Sequence, residues 1–202
     1  MADKMVLEAN KPGGLRTCSL RIGPVYGKLD SQMTPGILHV LEQKQQRNQI
    51  GNNQVLMDFV SVNNATKAHI LAYRALISES ISARVAGEGF FITDGKPVPF
   101  WDFSRKVWAA AGDKTPPEKV RVIPAGLVLG LSLFLEWVYW VFTFGQRSPA
   151  YLKSYTVRYV SEERTFSIKK ARDLLGYEPV DDMDQSIKDA VALILEEEQL
   201  SG

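Results

Sequence analysis

The sequence predicts an α/β chain that carries one long apolar helix. Short runs rich in β-branched and aromatic residues alternate with stretches of helical periodicity. Glycine and proline mark most of the junctions between them. Residues 125–144 form a nearly unbroken apolar stretch whose single charge is Glu136.

The elements follow in order. Residues 2–10 have helical spacing, with Met5, Val6 and Ala9 on one side, and read as the tail of a helix that begins earlier. Lys11-Pro12-Gly13-Gly14 stops that helix. Residues 15–22 suit a short buried strand, and Gly23-Pro24-Val25-Tyr26-Gly27 is a tight loop at its carboxyl end. A helix is expected over 34–46, with Pro35 in its first turn. Residues 57–62 read as a second strand. Residues 62–76 read as an amphipathic helix with Ala65, Ala68, Leu71, Ala72 and Leu76 inward. Residues 90–93 form a third strand, turned by Asp94-Gly95. Pro99 opens a helix to about Ala111 carrying Trp101, Phe103, Val107 and Trp108. Residues 120–123 form a fourth strand, before the apolar helix. A small helix over 168–175 stops at Gly176-Tyr177-Glu178-Pro179, and a last amphipathic helix runs over 183–198. There is no internal repeat and no low-complexity linker.

The 202 residues suffice for one or two domains with a real core. A formal net charge of +1 and the lack of any basic tract speak against nucleic acid as a partner. Cys18 is alone, so no intrachain disulfide and no thiol-based zinc cluster can form, and no metal site is expected. Neither His39 nor His69 stands in a catalytic or metal-ligand pattern. Asn64-Ala65-Thr66 matches a glycosylation sequon, but it falls in an expected helix of a chain without a secretory signal.

Two motifs of dinucleotide-dependent oxidoreductases are missing. A pyrophosphate needs a glycine-rich turn opening a helix, so that backbone N–H groups can approach it. No G-x-G-x-x-G or G-x-x-G-x-x-G occurs here, and none of the seven tyrosines is followed four residues later by Lys. Such a Lys would lower the phenol's pKa for acid–base work.

Residues 125–144 have about the length that crosses a bilayer. Ser132, Glu136, Tyr139 and Thr143 fall on one helical stripe. Trp137, Trp140 and Tyr139 are interface-type residues, and Lys119, Arg121 and Arg147 flank the stretch. Such a helix can lie in the membrane interface, span the bilayer, or pack on its own domain.

Three segments together resemble the extended short-chain dehydrogenases, and within them the 3β-hydroxysteroid dehydrogenase family with its sterol-4α-carboxylate branch. The first is Leu15-Arg16-Thr17-Cys18-Ser19-Leu20-Arg21-Ile22-Gly23-Pro24-Val25-Tyr26-Gly27. The second is Gly51-Asn52, then Asp58-Phe59-Val60-Ser61-Val62-Asn63-Asn64 and Ala68-His69-Ile70-Leu71-Ala72. The third is Phe90-Phe91-Ile92-Thr93-Asp94-Gly95-Lys96-Pro97-Val98-Pro99-Phe100-Trp101-Asp102-Phe103. The ending with Phe166-Ser167 and Leu175-Gly176-Tyr177-Glu178-Pro179 also fits. Ile22 and Lys28 depart from the family pattern, which has Pro at both positions.

The resemblance implies the C-terminal part of such an enzyme: an incomplete Rossmann sheet plus a small substrate-binding α/β region. Residues 1–76 would be the remnant of the dinucleotide-binding fold with part of the substrate region. Residues 77–202 would be the substrate-binding region, with a membrane-associating helix over 125–144. The implied reaction is NAD(P)-dependent oxidation of a sterol or steroid 3β-hydroxyl, in the sterol branch with decarboxylation at carbon four. The complete enzyme would use NAD or NADP. This chain alone is expected to bind neither and to hold no catalytic residue.

Ile22, Gly23, Pro24 and Val25 would contact the nicotinamide end, or form a simple strand-to-helix turn. Tyr26, Asp58, Phe59 and Trp101 would contact substrate. Asp58 could instead bond local backbone N–H groups. Phe90, Phe91, Phe100, Trp101, Phe103 and Trp108 could wall a sterol pocket or simply pack the core. The implied partners are a sterol or steroid, a membrane and, left open, a second copy in a homodimer. The implied location is the cytosolic face of the endoplasmic reticulum membrane. A non-catalytic sterol- or partner-binding remnant at a membrane surface is the other reading.

Overall fold

The computed structural model describes residues 2–11, 14–149 and 152–201. The chain opens with α1 (Ala2–Glu8), β1 (Ser19–Ile22), β2 (Val25–Tyr26), α2 (Met33–Glu42) and β3 (Asn48–Ile50). There follow β4 (Leu56–Met57), β5 (Val60–Ser61), α3 (Val62–Ile77), α4 (Ser82–Val85), β6 (Gly89–Ile92), β7 (Val98–Pro99) and α5 (Phe100–Ala110). The last are β8 (Arg121–Ile123), α6 (Ala125–Thr143), α7 (Ser154–Ser161), α8 (Lys169–Leu175) and α9 (Met183–Ser201). Two units interleave along the sequence. One is Met1–Gly36, Asp58–Pro97 and Thr165–Gly202; the other is Ile37–Met57 and Val98–Arg164. The chain enters the first unit three times, so a single boundary at residue 76 does not describe it; that position lies inside α3.

In the first unit β1 runs parallel to β6, from Ser19 opposite Gly89 to Ile22 opposite Ile92, and β2 runs parallel to β5. The expected strand over 15–22 shrinks to the four residues that find this partner, and Leu15 is exposed. The expected loop at 23–27 contains a strand, because Val25 and Tyr26 pair with Val60 and Ser61. Gly27, at φ 124°, ends it in a conformation that favours glycine. The Ser61 hydroxyl accepts from Asn64 N at 3.1 Å and so caps α3. Ala65, Ala68, Ala72 and Ala75 of α3 are buried against Phe90, Ile92, Ala171, Leu175 and Tyr177, with Leu71 and Leu76 at the margin. Small side chains let the helix approach the strands closely. Gly176, at φ 63°, closes α8 as expected.

α1 corrects its expected face. Met5 is 61% and Val6 43% exposed. The helix is tied to β1 through Asp3, which takes a 2.6 Å hydrogen bond from Arg21 Nη2 and another from the Ser19 hydroxyl. Polar contacts, not apolar ones, orient these two turns. The Pro12-Gly13 part of the expected stop lies outside the described residues.

In the second unit β3 runs parallel to β8 and β4 antiparallel to β7. The strand expected over 57–62 is thus two strands with different partners. α2, whose first four residues belong to the first unit, begins one residue earlier than expected, with the amides of Gln32, Met33 and Thr34 donating to the Asp30 carboxylate at 2.6–3.0 Å. It ends at Glu42, and Lys44 at φ 57° makes the break. Phe103, Val107 and Trp108 of α5 are buried, and Trp108 Nε1 donates to Ile37 O at 2.8 Å.

Candidate functional site

The residues expected to face a nicotinamide sit where β1 gives way to β2. Gly23 N donates to Ile92 O at 3.1 Å, continuing the parallel ladder for one residue. A Cβ on Gly23 would lie 3.4 Å from Asp58 O and 3.6 Å from Thr93 Cγ2, which is ordinary van der Waals contact, so the turn has room for a small side chain. Pro24 O accepts from Val60 N at 3.0 Å, and Val25 remains partly exposed. Ile22 is held in register with Ile92.

Tyr26 is fully buried, and its hydroxyl donates to Asp94 Oδ2 at 2.7 Å. Asp94 also accepts from Asn64 Nδ2 at 2.7 Å and from Ser61 N at 3.1 Å. Burial raises the pKa of Asp94, against the opposing pull of these hydrogen bonds. Burial first, and then the Asp94 charge, raise that of Tyr26. A phenol in this position does not exchange protons near neutral pH; it braces the loop from below. Asn64 extends the brace, its Oδ1 accepting from Val180 N at 3.0 Å, while the Ser61 hydroxyl donates to Asp181 Oδ2 at 2.5 Å. Asp94, Asn64 and Asp181 are not among the site residues expected from the sequence. The readable signal was an Asp-Gly turn at the end of a strand.

Asp58 is only 2% exposed, and its Oδ2 accepts from the backbone of Phe166 at 2.7 Å. The bond is thus to backbone 108 residues away, unlike the local amides of the alternative reading, and leaves contact with substrate open. Burial raises the Asp58 pKa, with the Phe166 amide opposing. Asp58 edges an open cleft of about 330 Å³ whose walls include Gly95, Phe166, Ile168, Lys169 and Arg172. Phe59 is buried, and its carbonyl accepts from Asp94 N at 2.8 Å.

Trp101 belongs to the second unit. Its Nε1 donates to Ile50 O at 2.9 Å and its amide to Asn53 Oδ1 at 3.1 Å, with the ring edge-on to Phe100. The six aromatic residues are not one wall. Phe90 is core of the first unit, and Phe91 stacks on Phe166 at 4.5 Å. Phe103 and Trp108 are core of the second, while Phe100 and Trp101 keep partial exposure.

The chain's fit to a dinucleotide is one-sided. The turns that open α2 and α3 carry no glycine-rich sequence, so neither offers a pyrophosphate cradle. What the residues at 22–25 can supply is a backbone wall for one end of a cofactor. Among the described residues no cluster of His, Cys, Asp or Glu is suited to a metal ion.

α6 is the second feature of functional weight. It is long and apolar enough to cross a membrane, and only 11% of its most apolar window is buried. The side it turns inward holds Val128 and the Ser132 and Glu136 part of the polar stripe, while Tyr139 of that stripe is 40% exposed. Ser132 is buried, and Glu136 accepts from Ser154 N at 2.7 Å and from the Ser154 hydroxyl at 2.8 Å, capping α7. Leu127, Leu131, Phe134, Trp137, Trp140 and Phe142 are exposed.

A family profile described as the 3-beta hydroxysteroid dehydrogenase/isomerase family matches residues 1–122. The chain is 40% identical over 188 residues to the sterol-4-alpha-carboxylate 3-dehydrogenase, decarboxylating, of Gibberella zeae, covering 93% of the chain and 61% of that protein. It is 37% identical to the enzyme of the same name from Schizosaccharomyces pombe, covering 95% and 54%. With the 3beta-hydroxysteroid-dehydrogenase/decarboxylase isoform 1 of Arabidopsis thaliana it shares 34% identity, covering 92% and 42%. The chain thus spans about half the length of the curated relatives it matches. Among solved structures, gox2253 superposes with a TM-score of 0.66 at 21% identity, over 97% of this chain and 54% of that one. The UDP-N-acetylglucosamine 4-epimerase of Bacillus cereus superposes with 0.56 at 16%, over 91% and 48%. These likenesses bear on the fold, which is that of the extended short-chain dehydrogenases. The chain belongs to the 3-beta hydroxysteroid dehydrogenase/isomerase family.

Proposed function

We propose that this chain supplies the substrate side of an NAD(P)-dependent sterol dehydrogenase that oxidises a 3β-hydroxyl next to a 4α-carboxylate. The observation that carries the reading is 40% identity, over nearly the whole chain, to a relative named for that reaction. A nicotinamide bounded by residues 22–25 would supply the acceptor for the hydride of carbon three, while the 3-hydroxyl proton passes to a base or to water. The ketone left behind is β to the carboxylate. The C–C bond electrons released with carbon dioxide can therefore enter an enolate, which makes decarboxylation easy. Residues 22–25 would bound the nicotinamide end through backbone. The Tyr26–Asp94–Asn64 brace would keep that wall rigid and position it, touching neither cofactor nor sterol itself. Trp101 and Phe100, partly exposed, would offer apolar contact to the sterol. Sterols partition into bilayers, so attachment through α6 to the cytosolic face of the endoplasmic reticulum would raise the local substrate concentration.

The test is equilibrium binding of a radiolabelled 3β-hydroxysterol 4α-carboxylate to the purified chain in mixed lipid–detergent micelles. Saturable binding that Trp101→Ala weakens about tenfold, a loss of roughly 1.4 kcal/mol, is expected. Absence of saturable binding would overturn the reading and favour a partner-binding role at the membrane.

A further inference from the structure

We propose that α6 lies in the plane of the membrane interface as a half-embedded anchor, so that the chain entering it and the chain leaving it stay on the same side. The inference rests on the membrane attachment put forward above and specifies its geometry.

α6 has 19 residues and rises about 28 Å, enough to cross. What argues against crossing is where the water-seeking groups are. Glu136, twelfth of the 19, holds both the amide and the hydroxyl of Ser154. That clasp sets the first turn of α7 against the middle of α6, and α7 also packs on β3. If α6 stood across the bilayer, Glu136 would sit near mid-depth. Ser154, Lys153 and Arg158 would be drawn into hydrocarbon beside it. Laid flat, the helix keeps its stripe turned to its own unit and to water, with Ser132 buried, Glu136 clasped to Ser154 and Tyr139 exposed. Its opposite arc, centred on Phe134, Trp137 and Val141, enters the acyl boundary. All three are exposed, from 40% for Val141 to 60% for Trp137.

The charges agree. Lys119 and Arg121 precede the helix and Arg147 follows it, so both ends carry cations suited to anionic headgroups. With Lys119 and Arg121 before it and Arg147 after it, a spanning helix would have to place a cationic end on the far side, which the in-plane placement avoids. A second copy of the chain laid on the same face would bring basic ends to basic ends. A bilayer surface is the occupant that both the apolar arc and its rims fit.

The full chain, with Cys18→Ser to remove its own thiol, is translated with microsomes, recovered by flotation and treated with a membrane-impermeant maleimide. Three single-cysteine variants are compared: Lys119→Cys, Trp137→Cys and Arg147→Cys. The expected result is that all three float, that Lys119→Cys and Arg147→Cys label in intact membranes, and that Trp137→Cys labels only after detergent. Protection of Arg147→Cys, alone or with Lys119→Cys, overturns the in-plane placement while leaving membrane attachment standing. Labelling of Trp137→Cys in intact membranes means another element holds the chain, and also overturns it. Failure of every variant to float overturns the attachment itself.

Discussion

Replacing Asp94 by alanine should cost the first unit more stability than any other single change at the brace. The carboxylate accepts from Tyr26 Oη at 2.7 Å, Asn64 Nδ2 at 2.7 Å and Ser61 N at 3.1 Å, all buried. Removing it strands three buried donors, each costing about 1–3 kcal/mol when unsatisfied. Part of that is offset, because the ionised carboxylate itself is costly to bury; that burial is what raises its pKa. The net expectation is a loss of about 3–5 kcal/mol. Tyr26→Phe removes one donor and leaves the acceptor two others, so it should cost about 1 kcal/mol. Urea unfolding followed by far-ultraviolet circular dichroism, at a pH where Asp94 is ionised, measures both. A loss below about 1 kcal/mol for Asp94→Ala would refute the idea that this carboxylate organises the loop.

Burial places the folded-state pKa values of Asp94 and Asp58 above the ordinary carboxylate value of 3.8. The folded chain therefore takes up these protons before the unfolded chain does. Their stabilising contribution is complete below 3.8 and is lost as pH rises through the folded values. Acidification from neutrality towards 3.8 should thus strengthen the wild type relative to Asp94→Asn in denaturant titrations, and the reverse trend would refute the assignment. Gly95 has φ 67°, and a Cβ there would lie 3.0 Å from Ile168 Cδ1. Gly95→Ala should therefore lower stability by about 1–3 kcal/mol in the same assay, and no loss would mean that the turn relaxes freely. Glutamate at Phe134, Trp137 and Val141 together should move the protein from the membrane pellet to the soluble fraction. Each side chain forfeits roughly 1.5–3 kcal/mol of apolar burial. Unchanged membrane recovery with intact circular dichroism would assign attachment elsewhere.

Periodicity, apolar length and stop signals exposed the helices of regular pattern. α3 lies where its alanine and leucine spacing puts it, and α6 and α8 follow their apolar length and glycine stop. They failed where polar contacts decide the structure. β3 is Asn-Gln-Ile, without a strand-like pattern, and it forms because β8 lies beside it. α7, Ser-Tyr-Thr-Val-Arg-Tyr-Val-Ser, is poor in strong helix formers and depends on the Glu136 cap at its first residue. The α2 cap at Asp30 comes before any periodic residue. At the candidate site, the loop at 22–27 was legible from its glycines and proline. The Asp94 brace was not, since Tyr26, Asn64 and Asp94 lie 30 to 68 residues apart and meet only through parallel pairing. The polar stripe of α6 was legible too. That its Ser132 and Glu136 part faces inward, leaving the apolar arc outside, required the fold.

In the function proposed above, this chain supplies the sterol side of the site and not the pyrophosphate side. Calorimetric titration of the purified chain with NAD, with NADP, and with a 3β-hydroxysterol 4α-carboxylate in mixed micelles tests it most directly. Saturable sterol binding and no micromolar affinity for either dinucleotide are expected. Micromolar dinucleotide binding, or cofactor binding without sterol binding, would contradict it.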